Sequence, residues 1–180
     1  MYSFKEYLIQ ELLDSDECFS WKKVFKKIKG SREADFIFWY RLAYVLYRKD
    51  NPFLKKISKK INRKIRFKYC CDIYRECNID IGLNIVHLSG IVINPVAKIG
   101  KNFIVRQNTT IGIVDKDVDR EIIIGDNVSI GANSCIIGDR LRIGNNVTIG
   151  AMSFVNEDIE SNTVFYTEKR AVKKMLANCD

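Results

Sequence analysis

From about residue 70 this chain places an aliphatic side chain at every sixth position. Ile73, Ile79, Ile85 and Ile91 fall in step, and after a shift of two so do Ile93, Ile99, Val105 and Ile111. The step resumes after a break at Ile124, Ile130 and Ile136, and after a one-residue shift at Ile143, Ile149 and Val155. Glycine follows many of them (Gly100, Gly112, Gly125, Gly131, Gly144, Gly150), and Asn or Asp often comes next, as in IGKN, IGDN and IGNN. Small or medium residues stand two before: Ala97, Thr109, Val128, Ser134, Val147 and Ser153. An α-helix cannot produce this period, and an antiparallel strand alternates with a period of two. A strict six-residue period is the mark of a parallel β-helix. Each hexad is a short strand with its aliphatic side chain inward, followed by a turn that Gly and Asn supply because they tolerate positive φ. Stacked coils pair their backbones and bury a continuous aliphatic column.

The period divides the chain. Residues 70–160 form the repeat domain. Within it, IVDKDVDRE (113–121) breaks the phase and is rich in charge, so it reads as a loop thrust out of the coil, a common place for function on a rigid scaffold. Residues 1–69 read as an α-helical, basic N-terminal region. FIFWYRLAYVLYRK (36–49) has an apolar stripe at 38, 42, 45 and 46, and Asn51-Pro52 breaks that helix. FLKKISKKINRKIRFK (53–68) places Phe53, Ile57, Ile61 and Ile65 at four-residue steps, among eight Lys/Arg and no acid. Residues 161–180 leave the repeat and end in a short, basic helical tail.

The formal charge of +8 is uneven. Residues 1–69 carry 18 Lys/Arg against 8 Asp/Glu, whereas residues 70–180 carry 12 against 14. Residues 36–68 are therefore a candidate for peripheral contact with an anionic membrane surface. The alternative is that the apolar stripe of 53–68 packs on the preceding helix or on the neighbouring domain. The chain lacks any finger, RNP or helix-turn-helix signature, so nucleic acid is not an expected partner. No stretch of eighteen uncharged apolar residues and no apolar signal core occur, and the expected location is the cytoplasm, at the inner membrane face if that contact is made. The six cysteines (18, 70, 71, 77, 135 and 179) form no paired CxxC spacing, and His87 is the one histidine, so no metal site is expected. Cys71, Cys77 and Cys135 fit as small core fillers.

His87 interrupts the hexads in IVHLSG, where the register shifts by two. A side chain there is released from filling the inward column, and histidine is the usual general base near neutral pH. A lone histidine is also a common structural residue. Asp72, fifteen residues earlier, lies a little under one coil away if three hexads make a turn, and stacking would bring its carboxylate near the imidazole. Asp80 is the other carboxylate that spacing allows.

The strings GLNIVHLSGIVINPVAKIG (82–100), NTTIG (108–112), IGDNVSIGANSCIIG (124–138) and IGNNVTIGAMSFV (143–155) resemble the hexapeptide-repeat acyltransferases, in particular their serine acetyltransferase branch. The helical N-terminus, with its FWYRLAYVLY run, resembles relatives that acetylate sugar hydroxyls in capsule and O-antigen assembly. The resemblance implies a left-handed coil, a homotrimer with active sites between subunits, and acetyl-CoA as donor. It implies that His87 is the base and Asp72 its orienting partner. Backbone N–H groups near Gly112 and Ile113 would meet the oxyanion. Gly131, Ala132, Gly150 and Ala151 would line a slot for the pantetheine arm. Arg120 and the lysines Lys169, Lys173 and Lys174 would meet phosphates of CoA or acceptor; plain solubility is the other reading of the lysines.

Two positions depart from the serine pattern. Val86 stands where that branch has an aspartate before the histidine, and Glu121 where it has a second histidine after Asp-Arg. Both family residues help to hold serine, so their loss favours a neutral sugar or polysaccharide precursor, with Val86, Arg120 and Glu121 around the acceptor. A serine O-acetyltransferase and a non-catalytic trimeric scaffold are the alternatives.

Overall fold

The computed structural model describes residues 2–13, 19–114, 120–168 and 170. Four helices come first: α1 (Phe4–Leu12), α2 (Trp21–Gly30), α3 (Arg32–Tyr47) and α4 (Pro52–Tyr69). The strands that follow build three parallel faces. Face A holds β1 (Asp72–Ile73), β4 (Val92–Ile93), β7 (Thr110–Gly112), β10 (Cys135–Ile137) and β13 (Phe154–Val155). Face B holds β2 (Asn78–Ile79), β5 (Ala97–Ile99), β8 (Glu121–Ile124) and β11 (Arg140–Ile143). Face C holds β3 (Asn84–Val86), β6 (Ile104–Arg106), β9 (Ser129–Ile130), β12 (Thr148–Ile149) and β14 (Val164–Phe165). The chain visits A, B and C in turn, forming a three-sided left-handed parallel β-helix with the helices at its first coil.

The period of six is the period of the faces. Ile73, Ile93, Ile111, Ile136 and Val155 stack in register on face A. Ile79, Ile99, Ile124 and Ile143 stack on face B, and Ile85, Val105, Ile130 and Ile149 on face C. All are buried, and each such side chain contributes on the order of 1.5–3 kcal/mol. The residue two before each turns inward as well, which places Cys71 and Cys77 in the core beside Leu83, Ala97 and Val128. Burial pushes the Cys77 thiol up to about 12. Cys135 differs from the expectation of a core filler: it points outward on face A, between Thr110 and Phe154, and is half-buried.

The helical region closes the open end of the first coil. A first coil has no coil beneath it, so its backbone groups need other partners. The Asn62 side-chain amide donates to the Ile73 carbonyl at 3.1 Å, and Arg41 donates to the carbonyls of Ile79 (2.8 Å) and Asp80 (2.7 Å). Glu11 accepts from the N–H groups of Gly82 and Leu83, both at 3.0 Å. This demand rotates α4 away from its aliphatic stripe. Its buried face is Ser58, Asn62, Ile65 and Tyr69, while Phe53 lies 68% exposed. Packing of the stripe thus holds for Ile65 alone of its four residues in full burial. α3 is apolar nearly all round, and buries Phe36, Ile37, Tyr40, Arg41 and Tyr44; of the stripe at 38, 42, 45 and 46 it buries Phe38, while the other three are half-buried.

Two boundaries move. Glu121 opens β8 instead of ending the loop, because its N–H is bonded to the Asp139 carbonyl at 2.8 Å and its carboxylate pairs with Lys98. The coil runs beyond residue 160, since β14 pairs with β12. Residues 171–180, where a helical tail is expected, lie outside the described residues, as does Lys169. Among the described residues no helix is long and apolar enough to cross a membrane.

Candidate active site

The edge where face C turns into face A is built differently in the first coil. Between β6 and β7 it takes three residues, 107–109; between β3 and β4 it takes five, 87–91. The two extra residues are the register shift seen in the sequence. They form a bulged corner, the usual device for re-aiming a side chain. Leu88 turns into the core at 2% exposure, and His87 is left exposed. His87 takes φ 61°, in the left-handed region, which histidine enters more readily than most residues. Asn108 donates its N–H to the Ser89 carbonyl (2.9 Å), Gly90 donates to Cys70 (3.0 Å), and Leu88 donates to the Glu33 carboxylate of α3 (3.3 Å). Burial alone would raise the Glu33 carboxyl; its own N–H, the Ser31 hydroxyl, the Leu88 N–H and Arg32 together hold it below the usual carboxylate range.

The same edge carries the small residues. Gly131–Ala132 follows β9 and Gly150–Ala151 follows β12, so both pairs stack further along the edge on which His87 sits. A Cβ at Gly131 would come within 2.4 Å of the Ala151 nitrogen, so only glycine lets these corners approach. Gln107 lies on the coil between them and His87, directly after Arg106, which pairs with Val86. Its Oε1 is the one buried side-chain nitrogen or oxygen without a hydrogen bond among the described residues. Such an atom calls for an explanation; its only sequence signal is that it follows Arg106 where His87 follows Val86.

Asp72 begins β1 on the side of face A nearest this edge, beneath Val92. Its carboxylate is engaged by Arg66: Nε and Nη2 both bond to Oδ1, at 2.9 and 2.8 Å. Among the described residues, no hydrogen bond is made to Oδ2, and none joins Asp72 to His87. Arg66 also lies over the Tyr74 ring at 3.7 Å. Asp80, the other carboxylate considered, bonds through its side chain to the N–H of Ile81.

The remaining predicted residues sit elsewhere. Gly112 and Ile113 leave face A at its opposite edge; residues 115–119 of the expected loop lie outside the described residues. Arg120 and Glu121 follow it onto face B, in a groove of about 460 Å³ with Lys98, Arg140, Arg142 and Asp158. Glu121 pairs there with Lys98 at 2.8 Å and Arg142 at 3.6 Å. One chain therefore brings together Val86, His87, Gly131, Ala132, Gly150 and Ala151, with Asp72 beside them. Gly112, Ile113, Arg120 and Glu121 belong to a second edge of the prism.

Solved structures similar to this one include serine acetyltransferases. That of Entamoeba histolytica isoform 3, in complex with cysteine, has a TM-score of 0.74 at 24% identity over 97% of this chain and 60% of that one. The Neisseria gonorrhoeae enzyme with serine has a TM-score of 0.64 at 29% identity over 73% of this chain and 53% of that one. The soybean enzyme with serine gives 0.69 at 25% identity, covering 92% and 65%. The fold is that of the serine acetyltransferases. The resemblance to the hexapeptide-repeat acyltransferases is thereby supported. No family model and no curated protein sequence matches. The chain spans about three-fifths of the length of the structures it matches.

Proposed function

We propose that this protein is an acetyl-CoA-dependent O-acetyltransferase with His87 as general base. The observation that carries the reading is the bulged corner, which turns a left-handed histidine outward on the edge where Gly131–Ala132 and Gly150–Ala151 stack. His87 takes the proton of the acceptor hydroxyl as its oxygen attacks the thioester carbonyl. The tetrahedral intermediate collapses, the C–S bond breaks, and the CoA thiolate recovers the proton from the imidazolium. Asp72 orients the imidazole through Oδ2, the oxygen that Arg66 leaves unbonded. The pantetheine arm lies along the glycine–alanine corners. N–H groups near Gly112 and Ile113 meet the oxyanion. Because these lie on a different edge from His87, the site is completed by a neighbouring subunit of a homotrimer.

L-Serine is the acceptor that the comparisons favour, ahead of the sugar suggested by Val86 and Glu121. The sugar reading keeps one specific support: Glu121 is engaged by Lys98 and Arg142, which gives the face B groove a different charge pattern from one built around histidine. A thiol-release assay with acetyl-CoA decides between them. Release with serine, lost on the order of 10²–10⁴-fold in His87→Ala, supports O-acetylserine formation. Release with a sugar or nucleotide sugar alone reverses the assignment. Full release by His87→Ala removes the base and leaves the scaffold reading.

The basic helices are proposed as a peripheral membrane contact. Phe53 and Phe67 stand exposed at the two ends of α4, with Lys56, Lys60 and Arg63 exposed between them. Full-length protein is expected to co-sediment with vesicles rich in anionic lipid at low salt. Equal recovery with neutral vesicles would remove the idea.

A further inference from the structure

The bulged corner has no counterpart in the later coils, and something must hold it. In the later coils the edge is fixed by the corner stacked beneath it. Asn133 donates to the Gln107 carbonyl, and Met152 to the Ala132 carbonyl. At the first coil the peptide that joins His87 to Leu88 has no coil beneath it. Its N–H points instead at Glu33, in the first turn of α3, 55 residues away in sequence. The other Glu33 oxygen accepts from the Ser31 hydroxyl at 2.8 Å, and Ser31 caps α3 through the Ala34 N–H. The carboxylate is thus fixed at the helix and fixes the corner.

We propose that Glu33 is a positioning residue for His87: its carboxylate clamps the His87–Leu88 peptide and so holds the imidazole in its outward, left-handed setting. A left-handed φ on a residue with a Cβ is costly and persists only where its surroundings over-determine it. The rest of the corner is bonded through Gly90 to Cys70 and through Ser89 to Asn108; on the His87–Leu88 peptide itself two contacts act, the buried Leu88 side chain on the inside and Glu33 on the N–H. Without Glu33 the peptide is free to rotate, φ of His87 relaxes, and the imidazole leaves its place. The functional half of this inference rests on His87 being the base; the structural half does not.

The protein's single histidine makes a direct test available, because the imidazole C–H resonances of the full-length chain belong to His87 alone. In Glu33→Ala those resonances are expected to move and broaden. Glu33→Gln, which keeps a carbonyl acceptor for Leu88, is expected to restore them. Glu6→Ala, which removes a capping carboxylate from α1, is the control and is expected to leave them in place. Acetyl transfer by Glu33→Ala is expected to fall on the order of tenfold to a hundredfold in kcat, with KM for acetyl-CoA little changed and with recovery in Glu33→Gln. Imidazole resonances of Glu33→Ala that superimpose on those of the native protein would overturn the proposal. If Glu33→Ala does not fold, hydrogen exchange at the Leu88 amide of the native protein decides: strong protection supports the clamp, and exchange at the rate of an open loop overturns it. Transfer that survives His87→Ala would sink the catalytic reading alone and leave the resonance test standing.

Discussion

Between inner coils the partner of each group is a copy of itself. Asn102, Asn127, Asn146 and Asn162 stack at one edge, each left-handed and each amide bonded to the next at 2.9 Å. Below the first coil no copy exists, and the partners are individual: Arg41, Glu11, Asn62 and Glu33, from three helices. The coils bury aliphatic columns and need few buried charges. The end cap uses an ion pair whose two side chains are both 0% exposed. Arg41 is enclosed by the rings of Tyr7, Tyr40 and Tyr44, and burial alone would weaken its charge; Glu11 reverses that and holds it firmly protonated. A repeat propagates by self-complementarity, whereas its end must be designed residue by residue.

The sharpest way to break this contrast is at Arg41. Arg41→Leu leaves the Glu11 carboxylate buried without its cation and the carbonyls of Ile79 and Asp80 without donors. A loss of about 3–5 kcal/mol is expected in chemical denaturation. The double variant Glu11→Leu/Arg41→Leu is expected to recover part of it, since the uncompensated charge goes but the N–H groups of Gly82 and Leu83 stay unmet. A double variant no better than Arg41→Leu would mean that the cap is not held by an ion pair.

The inner coils are tested at Ile111, fully buried between Ile93 and Ile136. Ile111→Ala is expected to cost about 3 kcal/mol through lost burial and the cavity left in the column. Its effect on the cap should be nil: combined with Arg41→Leu, the two losses should add to within about 0.5 kcal/mol. Marked non-additivity would show cap and coil to be one cooperative structure rather than two.

The difference between the regions also explains what could be read in advance. The coil was legible because its chemistry repeats: a column residue at every sixth position, glycine after it, and a two-residue shift that marks where His87 is turned outward. The cap was not, because Arg41 and Glu11 have no period and their partners are backbone atoms. α4 shows why a stripe can mislead: Phe53, Ile57, Ile61 and Ile65 look like the buried face, yet the edge of β1 needed the donor on Asn62, and the helix turned to provide it. Glu121 has no strand signal in the sequence for a related reason, since its strand is set by Asp139 and Lys98 rather than by an aliphatic phase. At the candidate site His87 stood out by its place in the register, whereas Gln107 and Glu33 appear only when coils and helices are stacked.

Acid should separate the two regions with the smallest perturbation. Asp35 on α3 accepts from Lys68 Nζ at 2.7 Å and from the Tyr69 hydroxyl, tying α3 to the end of α4. Burial by itself would raise this carboxyl, but the bonds from Lys68 and Tyr69 outweigh it, and the result is lowered. A carboxyl whose folded value lies below its unfolded one contributes stability that is complete above about pH 4 and is lost as pH falls through the folded value. Asp35→Asn is therefore expected to be less stable than the native protein at neutral pH, with a shallower decline on acidification. Ile111→Ala, which removes no titrating group, should decline in parallel with the native protein. Asp35→Asn with the native acid slope would place the acid-sensitive groups elsewhere, and Glu33, also lowered and also in the cap, would be the next to replace.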